Sequence, residues 1–131
     1  MLRASRPLYS AIASTLKSST GITGLAVHPD PLPALAGTYK STLSLLQTLP
    51  ATSVYRQATE AITKHRLSLV ENAGGDIIAA EKGLGGMIET SLEEAKAEEG
   101  VAGKMVEWKA WENLQTPSPP NQWRYFDPGS E

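Results

Sequence analysis

From residue 31 onward, apolar side chains return every three or four positions, the period of a helix with one buried face. Leu32, Leu35, Tyr39, Leu43 and Leu46 form one such stripe, widened by Leu45 and Leu49, and predict a helix over residues 31–48. Asp30 stands where an N-cap belongs, Pro31 fits the first helical position, and Pro50 ends the run. Val54, Ala58, Ile62, His65 and Leu69 form a second stripe. It predicts a helix capped by Thr52 or Ser53 and running to about Asn72, with Glu60 and Lys64 as a solvent-side pair in the favourable order. The link between the two helices, Pro50 to Ser53, is short enough to favour an antiparallel hairpin.

A third stripe contains Ile88, Leu92, Ala95, Ala102, Met105 or Val106, and Trp108, and predicts a long helix over residues 87–113. Gly100 and Gly103 each cost ~1 kcal/mol against alanine, so a bend or break is expected there. Five glycines lie between Gly74 and Gly86. That segment reads either as a flexible connection holding one short helix over 76–82 or as the ragged start of the third helix. Its Gly83–Gly86 cluster is not a phosphate loop, because no strand precedes it and no Lys-Ser/Thr pair follows. Glu89, Glu93, Glu94, Glu98 and Glu99 read as a solvated face suited to the start of a helix. An acidic metal site is the alternative, without the Asp-x-Asp spacing that calcium favours.

The flanks carry different signals. In residues 20–24 two glycines imply irregular backbone, and Ile22, Leu25 and Val27 are apolar side chains in need of a surface. A plain entry loop is one reading; an extended segment laid on a neighbouring surface accounts better for three branched residues. Beyond Thr116 the chain is too rich in proline for a helix and is expected to lie extended. The fold class is therefore all-α, an antiparallel helical hairpin plus a third long helix, resembling a three-helix bundle with extended N- and C-terminal arms. The expected divisions are a leader at 1–20, a helical domain at 21–115 and a C-terminal arm at 116–131.

A chain of 131 residues, 40% hydrophobic and with a single Phe, supports one modest core and points to a core completed against a partner. With no cysteine, the chain forms no disulfide and offers no thiolate to an iron–sulfur cluster. Its apolar runs are far shorter than the ~20 residues that span a bilayer. Residues 1–29 hold Arg3, Arg6 and Lys17 and no acid, whereas the remainder holds nine basic and fourteen acidic residues. This basic, hydroxyl-rich leader, with Leu8, Ile12 and Leu16 on one helical face, has the composition of a mitochondrial transit peptide; a short basic arm is the simpler alternative. Nothing points to nucleic acid.

Catalysis finds no constellation. His28 and His65 are the two imidazoles, His65 reads as a structural side chain, and metal-ligand spacing is missing. All three tryptophans fall in the last quarter. Trp108 reads either as core, with the later aromatics shielding the bundle end, or with Trp111, Trp123, Tyr125 and Phe126 as anchors of a protein interface.

Three separated segments carry a more specific signal: residues 19–27 (STGITGLAV), residues 53–66 (SVYRQATEAITKHR), and residues 104–114 (KMVEWKAWENL) with 119–123 (PPNQW). In order and spacing they resemble a small accessory subunit of mitochondrial NADH:ubiquinone oxidoreductase (respiratory complex I), the alpha-subcomplex subunit five family. The resemblance spans roughly residues 19–125. It implies a non-catalytic subunit without cofactor or metal, on the matrix side of the inner membrane. Its expected partners are core subunits of the peripheral arm, whose assembly and stability it supports. The corresponding candidate interface residues are Ile22, Leu25, Val27, Tyr55, Arg56, Trp108, Trp111, Trp123, Arg124, Tyr125 and Phe126. The competing expectation is a free-standing helical module for a small hydrophobic ligand or a partner protein. An enclosed apolar pocket lined by Leu35, Tyr39 and Leu92 would mark a ligand carrier; exposed apolar arms without one would mark the subunit.

Overall fold

The computed structural model describes residues 17–121. Among these residues the chain forms four helices and no strand: α1 (Pro31–Leu46), α2 (Val54–Asn72), α3 (Ile77–Leu84) and α4 (Ile88–Trp108). The leader expected at 1–20 lies almost wholly outside the described residues, as do Trp123, Arg124, Tyr125 and Phe126.

Helix α1 is the central element and packs against both α2 and α4. Its predicted stripe is the buried one: Leu32, Leu35, Tyr39 and Leu46 are all buried, and Leu49 joins them just past the helix. Leu32, Leu35 and Tyr39 share a core with Val70 of α2, Ala80 of α3, and Ile88, Leu92 and Ala95 of α4. A second cluster at the other end of α1 joins Leu46 and Leu49 to Ala102, with Tyr55, Met105 and Trp111 packed against it. Asp30 takes the N-cap position but its side chain bonds no helical amide; Pro31 needs none at N1, which removes part of the demand.

Helix α2 begins as the sequence suggests, with Ser53 accepting from the Arg56 amide at 3.4 Å, but it is rotated from its predicted face. Val54 is 78% exposed and Ile62 56% exposed, while Thr59, Thr63 and Val70 are buried. Tyr55, Thr59, Thr63, Arg66 and Val70 form the inward stripe, about 100° around the helix from the apolar one. Thr59 and Thr63 take the buried positions, and the greasier stripe begun by Val54 and Ile62 is left facing outward.

The glycine-rich connection contains a distinct helix, α3. Asp76 caps it by accepting from the Ile78 amide at 3.0 Å. Gly85, at φ +77°, ends it in the left-handed conformation, and the Gly86 amide reaches back to the Glu81 carbonyl. Glu81 then serves the next helix as well. Its carboxylate accepts from the Ile88 amide at 3.1 Å, satisfying a donor that Met87 at the N-cap cannot.

Helix α4 continues through Gly100 and Gly103, so the expected break does not occur; contact with α1 along its length, down to Ala102, outweighs the propensity cost. It also ends earlier than predicted. Lys109 adopts φ +50°, and the Ala110 amide bonds the Met105 carbonyl, closing the helix after Trp108. The acidic face is not uniformly solvated: Glu89 is 3% exposed, and Glu98 and Glu99 are half-buried against α2 and α1.

Candidate functional site

Helices α2 and α4 both lean on α1 but pack little against each other. Between them lies a groove of about 420 Å³, floored by Tyr39 and Thr42 of α1 and walled by Thr59, Ile62, Thr63 and Arg66 on one side and Glu94, Ala95, Glu98 and Val101 on the other. Two polar links cross it. The Tyr55 hydroxyl donates to the Glu98 carboxylate, and the Arg66 guanidinium pairs with Glu94 at 3.2 Å.

The floor holds an unmet demand. Tyr39 is only 3% exposed, and its hydroxyl has no hydrogen-bond partner among the described residues. Burial pushes its phenol pKa up, with the nearby Arg66 cation opposing that shift. Tyr55 differs: burial and its hydrogen bond to Glu98 push its phenol up to about 12. Among the described residues no group of three or more His, Asp and Glu side chains is placed to hold a metal.

A second polar cluster ties the N-terminal segment to the body. The Lys17 ammonium reaches both Glu81 and Glu89, lying 3.2 Å from the latter. Burial opposes the charge on Lys17, but the two carboxylates outweigh it and hold its pKa above the ordinary lysine value. Glu81 is likewise disfavoured as an anion by burial, yet Lys17 and the Ile88 amide bring its pKa below the usual carboxylate range. Beyond Lys17, the Thr20 hydroxyl donates to the Leu25 carbonyl at 2.6 Å, folding the glycine-containing loop around itself. Leu25 and Val27 are then half-buried against α4, while Ile22 is exposed.

The interface candidates therefore occupy separate places. Tyr55 and Arg56 act within the chain, Tyr55 through Glu98 and Arg56 by donating to the Leu49 carbonyl at the α1–α2 turn. Trp108, one reading of which made it core, is 66% exposed. Trp111 instead turns back onto the second core cluster, because the left-handed Lys109 reverses the chain before it. The trio expected to line a carrier's pocket shares no cavity: Leu35 is buried in the core, Tyr39 lines the α2–α4 groove, and Leu92, also in the core, borders a separate hollow beside residues 24–28. Sequence reasoning missed the groove residues Thr59, Thr63, Arg66, Glu94 and Glu98 as a group. A signal did exist in the 4-4-3-4 spacing of Tyr55, Thr59, Thr63, Arg66 and Val70, masked by the greasier stripe beside it.

Comparison with known proteins adds an independent line. Residues 24–100 match the family model described as the complex I subunit conserved region of the electron-transport chain. The chain is 39% identical over 115 residues to NADH dehydrogenase (ubiquinone) 1 alpha subcomplex subunit 5 of Bos taurus, covering 87% of this chain and 98% of the bovine one. A 1 alpha subcomplex subunit of NADH dehydrogenase (ubiquinone) from Candida albicans is 41% identical over 109 residues, covering 82% of this chain and 78% of its own length. An Arabidopsis thaliana relative named "Probable NADH dehydrogenase (ubiquinone) 1 alpha subcomplex subunit 5, mitochondrial" is 39% identical over 107 residues, 81% of this chain and 60% of its own.

Proposed function

The chain belongs to the alpha subcomplex subunit 5 family of NADH dehydrogenase (ubiquinone), and from that membership we propose that it is a non-catalytic accessory subunit of mitochondrial complex I. In this reading it binds core subunits of the peripheral arm on the matrix side of the inner membrane and supports assembly and stability of the enzyme. The observation that carries it is the near end-to-end correspondence with the bovine subunit, 98% of whose length is matched. The match runs over nearly the whole of the bovine subunit rather than over one short shared segment.

Physical features agree with this reading. Large apolar side chains remain outside the core at Val54, Ile62, Ile78, Trp108 and Leu114, and exposed Trp is a favoured interface anchor. The core itself is divided into two small clusters. We read α1 and α2 as an antiparallel pair with α4 laid along α1, a body that presents its flanking arms to neighbours. The basic leader supplies the mitochondrial address. No helix of the described residues is long and apolar enough to cross a membrane, in keeping with peripheral attachment.

The test is blue-native electrophoresis of mitochondria from the source organism, with immunodetection of this chain. Migration at the mass of complex I is expected, and loss of the chain is expected to lower the amount of assembled enzyme. A chain found only at low mass, with complex I abundance unchanged on its deletion, overturns the reading.

A further inference from the structure

We propose that the α2–α4 groove receives an acidic side chain from a neighbouring subunit, held by the Tyr39 hydroxyl and the Arg66 guanidinium; this rests on the complex I reading above. The first support is the floor of the groove. A buried hydroxyl without a partner is costly unless something supplies one. Tyr39 is buried, its hydroxyl is unpaired, and it lines a cavity of about 420 Å³.

The chemistry of the occupant follows from what surrounds that hydroxyl. Arg66 stands beside Tyr39, contributes donors only and already pairs with Glu94, so what remains unmet is an acceptor for the Tyr39 hydroxyl proton. A carboxylate supplies it, and a charge-assisted bond is the stronger kind. Glu94 and Glu98 also face the groove and would repel a second carboxylate. Glu98 is already engaged by Tyr55. Glu94 is more than half exposed in its pair with Arg66. Exposed pairs of that kind contribute little, so Glu94 can swing to solvent as the incoming group replaces it.

The rim favours a polypeptide. Ile62 and Val101 stand exposed on opposite lips. Val54 and Ala58 extend the exposed apolar strip along the outer face of α2. A partner segment with an Asp or Glu flanked by apolar residues covers the lips while its carboxylate reaches the floor.

Tyr39→Phe in the full chain separates this role from a structural one. Removing an unpaired buried hydroxyl should leave thermal stability of the isolated chain unchanged or raised. Its recovery in complex I, in competition with the wild-type chain, should fall roughly tenfold or more for one lost charge-assisted bond. Glu94→Gln, which frees Arg66, should raise recovery. A photo-crosslinking residue at position 62 should capture a partner peptide containing Asp or Glu. Equal competition by Tyr39→Phe overturns the proposal, as does a captured peptide without an acid. If Tyr39→Phe destabilises the isolated chain yet competes equally, the hydroxyl serves only bound water. Absence of even the wild-type chain from complex I instead removes the parent reading, and the docking with it.

Discussion

The Tyr55 hydroxyl donates to Glu98, a residue 43 positions away, and so binds the start of α2 to the middle of α4. The two helices pack little against each other, and this link crosses the space between them. Burial, and the bond that only the neutral phenol can donate to the carboxylate, together raise the Tyr55 pKa to about 12.

Alkaline unfolding should report that link. A phenol whose pKa is about 10 unfolded and about 12 folded stabilises the protein fully below pH 10, and the contribution disappears as pH rises towards 12. Lys17, also raised, adds loss of the same sign over the alkaline range. Tyr55→Phe should lower stability at pH 7 by about 1 kcal/mol and flatten part of the alkaline decline. Urea titrations at pH 7 to 11 measure both; an unchanged alkaline slope would sink the assignment.

The two faces of α2 and α1 should respond oppositely. Leu35→Ala removes a fully buried side chain from the larger core cluster and should cost about 2–5 kcal/mol. Ile62→Asp lies on the exposed strip and should change stability of the isolated chain by about 0.5 kcal/mol or less. The same Ile62→Asp should reduce recovery of the chain in complex I. Thermal melts and native gels read the pair, and a large stability loss at Ile62 would mean that α2 sits as its apolar pattern first suggested.

Lys109 ends α4 in a left-handed conformation that glycine adopts without steric cost. Lys109→Gly should therefore stabilise the chain by about 0.5–1 kcal/mol, a rise of a few degrees in Tm. The converse change, Gly85→Ala at φ +77°, should destabilise by about 1 kcal/mol, because the cost is conformational and the space beside it is open.

Lys17 carries the N-terminal segment's ionic anchor. Lys17→Gln leaves the buried Glu89 without its cation and should cost about 1–2 kcal/mol, tempered by the partial exposure of Lys17. Hydrogen exchange should quicken at residues 18–27. The pKa of Glu81 is lowered, so its contribution is present above the ordinary carboxylate pKa and lost as pH falls below it. The variant should be correspondingly less sensitive to acid between about pH 5 and 3.

Truncation after Gln115 removes the proline-rich segment, which is exposed wherever it is described. Helical circular dichroism should survive, since α1 to α4 end at Trp108. Recovery in complex I should fall sharply, because a buried Trp anchor is typically worth ≥2 kcal/mol, about thirtyfold in affinity. Undiminished recovery of the truncated chain would transfer the binding to the helical faces alone.

The sequence by itself determined the helices whose signals are local. Pro31 and Pro50 bracket α1, Ser53 and the Asn72–Gly75 run bracket α2, and the Leu32–Leu46 stripe names its own buried face. Those features depend on the φ limits of proline, on side-chain caps and on a periodicity dominated by leucine. Family membership was legible for a related reason, since the segments that carry it can be compared without knowing what they touch. Only the tertiary structure decided which face of α2 turns inward. Thr59 and Thr63 are small enough to approach α1, whereas Val54 and Ile62 lie on the side where the chain provides no cover. Tertiary contact also carried α4 through two glycines, buried Glu89 beside a lysine 72 residues away, and left the Tyr39 hydroxyl without a partner at the floor of a groove. Each of these depends on groups far apart in sequence meeting in space, and hydrophobic periodicity along one helix carries no information about them.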